Sequence, residues 1–99
     1  MTLEEFEKSI EIVESPDGIR PELEALRVDA RGDWKRAHEI VQAIDSARAA
    51  WVHAYLHRKE GDLGNASYWY SRAGKPTCND DLKAEWKSIA SSLLESSGD

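Results

Sequence analysis

The chain has 99 residues, and its 13 basic and 19 acidic side chains give a net charge of −6 at pH 7. This length predicts a single domain, and the acidic balance argues against general binding to nucleic acid or to an anionic membrane. The lone cysteine, Cys78, excludes an internal disulfide. With no secretory signal peptide and no apolar run near 18 residues, we expect a reduced, cytoplasmic protein.

Apolar residues recur at helical spacing in six segments separated by turn and capping residues. Pro21 suits the first turn of the second helix, and Asp33 is placed to cap the third. Asp45 or Ser46 can cap the fourth helix, Gly61-Asp62 separates it from the fifth, and Asn79 or Asp80 can cap the last. The predicted units are an N-terminal capping helix at 2–14, a first helical hairpin at 20–45, a second at 46–75 and a C-terminal capping helix at 80–95.

A short pattern occurs twice, which indicates an internal repeat. Its copies are Gly32, Asp33, Trp34, Ala37, Val41 and Ile44 and, 29 residues later, Gly61, Asp62, Leu63, Ala66, Tyr70 and Ala73. The pattern resembles the turn and second helix of a tetratricopeptide repeat. Ala54 matches the small residue of that repeat's first helix, and Pro76 matches the proline that ends it. The resemblance implies an all-α, single-domain, right-handed superhelical array of about six helices, with the two terminal helices covering its ends.

The fourth helix carries a basic and aromatic edge, which we call the basic-aromatic edge, made of Arg48, Trp51, Tyr55, Arg58 and Lys59. The resemblance implies that these side chains line a concave groove that binds peptides. Cationic groups beside aromatic rings can hold a carboxylate while the rings cover its apolar part. The alternative is that Trp51 and Tyr55 pack under the acidic first helix and that the basic groups pair with its glutamates.

The same helix places His53 and His57 one turn apart on another edge. This spacing can chelate a divalent metal with a third ligand from His38, Glu39 or Glu60. The zinc-protease pattern HExxH is absent. The alternative is a structural role, in which the two imidazoles are buried and hydrogen-bonded to groups such as Tyr68, Tyr70 or a backbone carbonyl.

We therefore expect an interaction module, not an enzyme, with no cofactor and no metal. As a monomer or homodimer, it would bind a protein, an acidic peptide or another anionic ligand through the basic-aromatic edge. The predicted binding residues are Arg48, Trp51, Tyr55, Arg58, Lys59, His53, His57, Trp69 and Arg72. The alternative function is a small-molecule or metal site built on His53 and His57 with Tyr70 and Trp69, for which an enzymatic role stays open.

Overall fold

Six helices form the secondary structure of residues 1–97, the part of the chain that this computed structural model describes. They are α1 (Leu3–Ser9), α2 (Pro21–Ala30), α3 (Trp34–Gln42), α4 (Ala47–Lys59), α5 (Leu63–Ala73) and α6 (Leu82–Ser97). Residues 1–97 contain no strand. The predicted all-α fold is confirmed, and the predicted hairpins correspond to α2–α3 and α4–α5.

Capping side chains set the starts of the middle helices. Asp33, Ser46 and Asp62 each accept a hydrogen bond from the backbone N–H three residues later, which satisfies one of the otherwise unpaired donors of the helix. The last helix differs from the prediction by one position. Asp81 accepts from the Ala84 N–H, in the place where Asn79 or Asp80 was expected.

The two turns inside the hairpins have the same geometry. Gly32 and Gly61 both have positive φ, at 97° and 90°, a backbone region that favours glycine. The next residue in each turn donates its N–H back across the turn, from Asp33 to the Val28 carbonyl and from Asp62 to the His57 carbonyl, both at 2.9 Å. The sequence repeat is therefore also a repeat of local structure.

The first helix ends at Ser9, earlier than the predicted 2–14. The guanidinium of Arg27 on α2 donates to the carbonyls of Ser9, Ile12 and Val13 at 2.9, 2.6 and 3.2 Å. A helix continued to residue 14 would use the Ser9 carbonyl in its own ladder of hydrogen bonds. The buried arginine therefore stabilises an irregular segment where periodicity alone predicts further helical turns.

Helix α4 lies at the centre, packed against α2, α3, α5 and α6. Its apolar side chains join the main core, which α6 and α1 close from one side. Trp86 of α6 stacks on Phe6 of α1 with ring centroids 5.5 Å apart, and its indole N–H donates to the Leu26 carbonyl at 3.0 Å. Among the described residues, the helices are all too short or too polar to cross a membrane.

Candidate functional site

All three histidines of the chain meet in one cluster, which we call the histidine cluster. His53 and His57 are one turn apart on α4, and packing of α3 against α4 brings His38 opposite them. The Nε2 atoms of His38 and His53 are 3.0 Å apart. One nitrogen from each of the three rings lies within 4.8 Å of the others, so the rings can share one small ligand.

Two tryptophans form the walls of this cluster. Trp69 of α5 stacks on His53 with ring centroids 3.9 Å apart, and Trp34 of α3 stacks on His38 at 5.0 Å. The Trp34 indole N–H donates to the Leu56 carbonyl at 2.8 Å, which fixes that ring on α4. The imidazoles are therefore held in defined orientations between indoles.

The imidazole of His53 is only 4% exposed, and its Nδ1 has no hydrogen-bond partner among residues 1–97. Burial, together with the neighbouring His38 and His57 rings, lowers the pKa of His53 to about 4. Burial also lowers the pKa of His38. Both rings are thus neutral at pH 7, the form in which a ring nitrogen offers a lone pair to a metal.

A carboxylate orients the third ring, because the Nδ1 of His57 lies 2.6 Å from a carboxylate oxygen of Glu60. When neutral His57 donates Nδ1–H to this oxygen, the lone pair is on Nε2. A second possible ligand group overlaps the cluster here, since His57, Glu60 and Asp62 also place one ligand atom each within 4.8 Å.

The other residues predicted near the histidines divide into two groups. Trp69 joins the cluster, and Arg72 extends it outward, with its guanidinium 5.3 Å from the centre of the Trp69 ring. Tyr70 is engaged elsewhere, because its hydroxyl donates to Glu85 on α6. Of the candidate third ligands, Glu39 is exposed and belongs to neither group of possible ligands among the described residues.

The basic-aromatic edge is interrupted by other helices. Arg58 donates to Glu85 of α6 at 2.7 Å and to the Asp80 carbonyl. Lys59 pairs with Asp29 of α2 at 3.0 Å. Arg58 and Lys59 therefore pair with carboxylates of α6 and α2, and within residues 1–97 neither pairs with a glutamate of the first helix.

The remaining members of the edge differ in exposure. Tyr55 is buried, and Arg48 is exposed at the N-terminal end of α4. Trp51 is partly buried, with the ammonium of Lys75 lying 4.3 Å from its ring centre. Arg48 and Trp51 line one surface cavity and Tyr55 and Lys59 line another, so the edge is divided between two parts of the surface.

Four buried charged residues were not predicted from the sequence, namely Glu22, Arg27, Asp29 and Glu85. The sequence could have indicated the burial of two of these residues, because it places them on the apolar face of a helix. Arg27 and Glu85 each fall at core spacing beside apolar residues, and a charge at such a position needs a buried partner.

Comparison with known proteins returned no match, whether with family models, curated proteins or solved structures.

Proposed function

We propose that the protein binds a divalent transition-metal ion, Zn²⁺ above all, through His38, His53 and His57. The observation that carries the proposal is the convergence of the chain's only three histidines, with one nitrogen of each within 4.8 Å of the others. Imidazole suits Zn²⁺ and neighbouring first-row metals. Three protein ligands leave a fourth position for water or another ligand, as in catalytic zinc sites and unlike closed structural ones.

The distances fit an ion after small movements of the rings. Zn–N bonds of about 2.0–2.1 Å put tetrahedral ligand nitrogens about 3.3 Å apart. The nitrogens of His38 and His53 are already 3.0 Å apart, and the whole set lies within 4.8 Å. Ring movements on the order of an ångström would bring all three into the coordination sphere. His38, which is partly exposed on α3, has the most freedom to make them.

The surroundings support the same proposal. Neutral imidazoles bind metal without first releasing a proton. The carboxylate of Glu60 fixes the His57 ring, as outer-shell carboxylates do in many histidine–metal sites. The indoles of Trp34 and Trp69 limit the access of water to the coordinating face.

We further propose that α2–α3 and α4–α5 are two tetratricopeptide-like hairpins. Support comes from the equivalent turn hydrogen bonds donated by the N–H groups of Asp33 and Asp62, and from the packing of α3 against α4 as well as against α2.

Binding of an acidic peptide along the basic-aromatic edge is a weaker candidate for the function. Arg58 is already neutralised by the buried carboxylate of Glu85, which a peptide carboxylate would have to displace.

The test is a Zn²⁺ titration of protein purified without a histidine tag, followed by competition with a chelating dye. Co²⁺ serves as a spectroscopic probe, since nitrogen ligands in tetrahedral geometry give intense visible absorption. We expect one ion per chain with Kd of about 1 µM or tighter. His38→Gln should weaken binding at least tenfold, because it removes one of three ligands.

His38→Gln also separates the histidine cluster from the overlapping group of His57, Glu60 and Asp62, which it leaves intact. Cys78→Ser is the matched control, since it removes the only thiol and should change nothing. Circular dichroism of each metal-free variant checks that the fold is retained. Unchanged affinity in His38→Gln, or no saturable binding by the unsubstituted chain at about 0.1 mM Zn²⁺, would overturn the proposal.

A further inference from the structure

A cavity of about 310 Å³ lies where α1, α2, α4 and α6 meet. Its walls are the apolar parts of Ile10, Ala30, Tyr55, Leu82 and Trp86, and its polar groups belong to Glu7, Asp29, Lys59, Lys83 and Lys87. The volume is at the lower end of the range for small-molecule sites, and an apolar wall with a few polar groups is typical of them.

The phenol of Tyr55 is an unused donor in this cavity. The residue is 97% buried, yet its hydroxyl makes no hydrogen bond with any group in the part of the chain described. Burial and the nearby carboxylates of Asp29 and Glu85 raise the pKa of Tyr55, so the hydroxyl keeps its proton. Among residues 1–97 the hydroxyl is not one of the fully buried polar atoms that lack a partner, so solvent reaches it at the cavity. An acceptor that enters the cavity can therefore take its proton in a hydrogen bond.

The ammonium of Lys59 provides a second donor at the same place. Both carboxylate oxygens of Asp29 accept from it, at 3.0 and 3.1 Å, and Asp29 itself is buried. An ammonium has three N–H donors, and the third has no partner among residues 1–97. Asp29 thus anchors Lys59 at the cavity without using all of its hydrogen-bonding capacity.

The charges around the cavity leave a positive surplus. Lys59 is balanced by Asp29, and Lys87 lies 3.9 Å from Glu7. Lys83 is exposed and forms no ion pair within the described chain. Three cations against two anions give a net charge of +1, which a single anion would neutralise.

We propose that this cavity binds a small organic acid with one carboxylate on a compact aromatic or branched apolar body. The carboxylate accepts from the Tyr55 hydroxyl and the Lys59 ammonium, and Lys83 balances its charge. The apolar body packs on Trp86, whose indole N–H already donates to the Leu26 carbonyl and leaves the ring as a wall.

This site is separate from the histidine cluster. Tyr55 is two residues from both His53 and His57, and Lys59 is two residues from His57, a rotation of about 200° on the same helix. The cavity and the histidine cluster therefore lie on different sides of α4. Binding of Zn²⁺ and binding of the organic acid can therefore be confirmed or contradicted independently of each other.

The test uses benzoate as the probe and benzyl alcohol as its neutral counterpart, with ¹⁵N–¹H NMR of the full chain. We expect benzoate to shift the indole N–H of Trp86 and the amides around Tyr55 and Lys59 saturably, with Kd in the millimolar range or below. Benzyl alcohol should bind at least tenfold more weakly, because it brings no charge to the two donors.

Tyr55→Phe keeps the ring in the wall and removes only the hydroxyl, and it should weaken benzoate binding about tenfold. Tyr68→Phe, on the exposed face of α5, is the matched control and should leave the affinity unchanged. Equal binding of benzoate and benzyl alcohol, equal affinity in Tyr55→Phe, or no shift at about 20 mM benzoate would each overturn the proposal.

Discussion

The indole of Trp69 lies face to face on the imidazole of His53, with ring centroids 3.9 Å apart and ring planes 14° apart. A positive charge lies close to this stack, since the Arg72 guanidinium is 5.3 Å from the Trp69 ring centre. An imidazolium at His53 would lose its hydration under the indole and would face two further imidazoles, His38 and His57. The stack therefore selects the neutral form of His53.

This selection makes the metal-free protein sensitive to acid. The pKa of His53 is about 4 in the folded chain and about 6.5 when unfolded, so between these values the unfolded chain binds one more proton. The free energy of unfolding should be unaffected by His53 above pH 6.5 and should fall as the pH drops toward 4. The difference of about 2.5 units between the two pKa values corresponds to a fall of about 3 kcal/mol in the free energy of unfolding.

Urea denaturation across this pH range, after removal of metal by a chelating resin, measures the effect. His53→Phe retains a ring on Trp69 but has no proton to gain, so its stability should fall less steeply between pH 6.5 and 4. His38, whose pKa burial also lowers, contributes to both curves. An equal slope in the two proteins would contradict the assignment to His53.

Arg27 should be among the most sensitive positions for stability. Arg27→Met removes a partly buried ion pair with Glu24 and hydrogen bonds to three backbone carbonyls. The carbonyls of Ser9, Ile12 and Val13 lose that donor. We expect a loss of about 3 kcal/mol or more. Amide hydrogen exchange should show α1 opening more often than the helical hairpins.

The matched control is Arg31→Met, because Arg31 is exposed on the same helix end and donates to a single carbonyl, that of Ile10. Its loss should cost less than about 1 kcal/mol. Similar losses at both positions would show that the hydrogen bonds of buried Arg27 stabilise the fold no more than the single hydrogen bond of exposed Arg31.

Local rules predicted the helices well because their signals are local. Asp33 caps the third helix as predicted, and Ser46, one of two predicted candidates, caps the fourth. Asp62, which the sequence repeat aligns with Asp33, caps the fifth. The end of α1 was predicted wrongly because its determinant, Arg27, is 18 residues away from Ser9 in sequence. No periodicity within residues 2–14 contains that contact.

In the candidate site, too, features set by local spacing were predicted and features set by tertiary contacts were not. The spacing of His53 and His57 predicted a shared face, and His38 was one of three proposed third ligands. Packing of α3 on α4 selected His38, a tertiary contact that spacing does not determine. Tyr70 was expected beside the histidines, but the buried carboxylate of Glu85 provides a stronger acceptor for its hydroxyl.

The Tyr70–Glu85–Arg58 connection should contribute measurably to stability. Tyr70→Phe leaves one oxygen of the buried Glu85 without its hydroxyl donor, while Arg58 still donates to the other at 2.7 Å. We expect destabilisation of about 1–2 kcal/mol in urea denaturation at pH 7. Tyr68→Phe removes an exposed hydroxyl that accepts from Arg72, and should change stability by less than about 0.5 kcal/mol. Equal values for the two tyrosines would contradict a buried, charge-assisted bond at Tyr70.

Glu60 should act on metal binding through His57, as a positioning residue. Glu60→Ala removes the acceptor 2.6 Å from the His57 Nδ1 and leaves that ring free to rotate, while all three histidines remain. We expect Zn²⁺ affinity to fall about 10- to 100-fold, the usual effect of losing an outer-shell partner. Glu60→Gln, whose amide oxygen can still accept the Nδ1–H, should recover part of that loss.

Glu39→Ala controls for the loss of a negative charge near the cluster, because the Glu39 carboxylate raises the pKa of His38 through space without belonging to either ligand group. Its effect on Zn²⁺ affinity should stay within about threefold, since exposed charges are screened by solvent and salt. Competition titrations of the three variants at pH 7 distinguish orientation from charge. If Glu39→Ala and Glu60→Ala weaken Zn²⁺ binding equally, Glu60 acts through its charge alone. If Glu60→Gln restores the full Zn²⁺ affinity, Glu60 acts entirely through its hydrogen bond with His57.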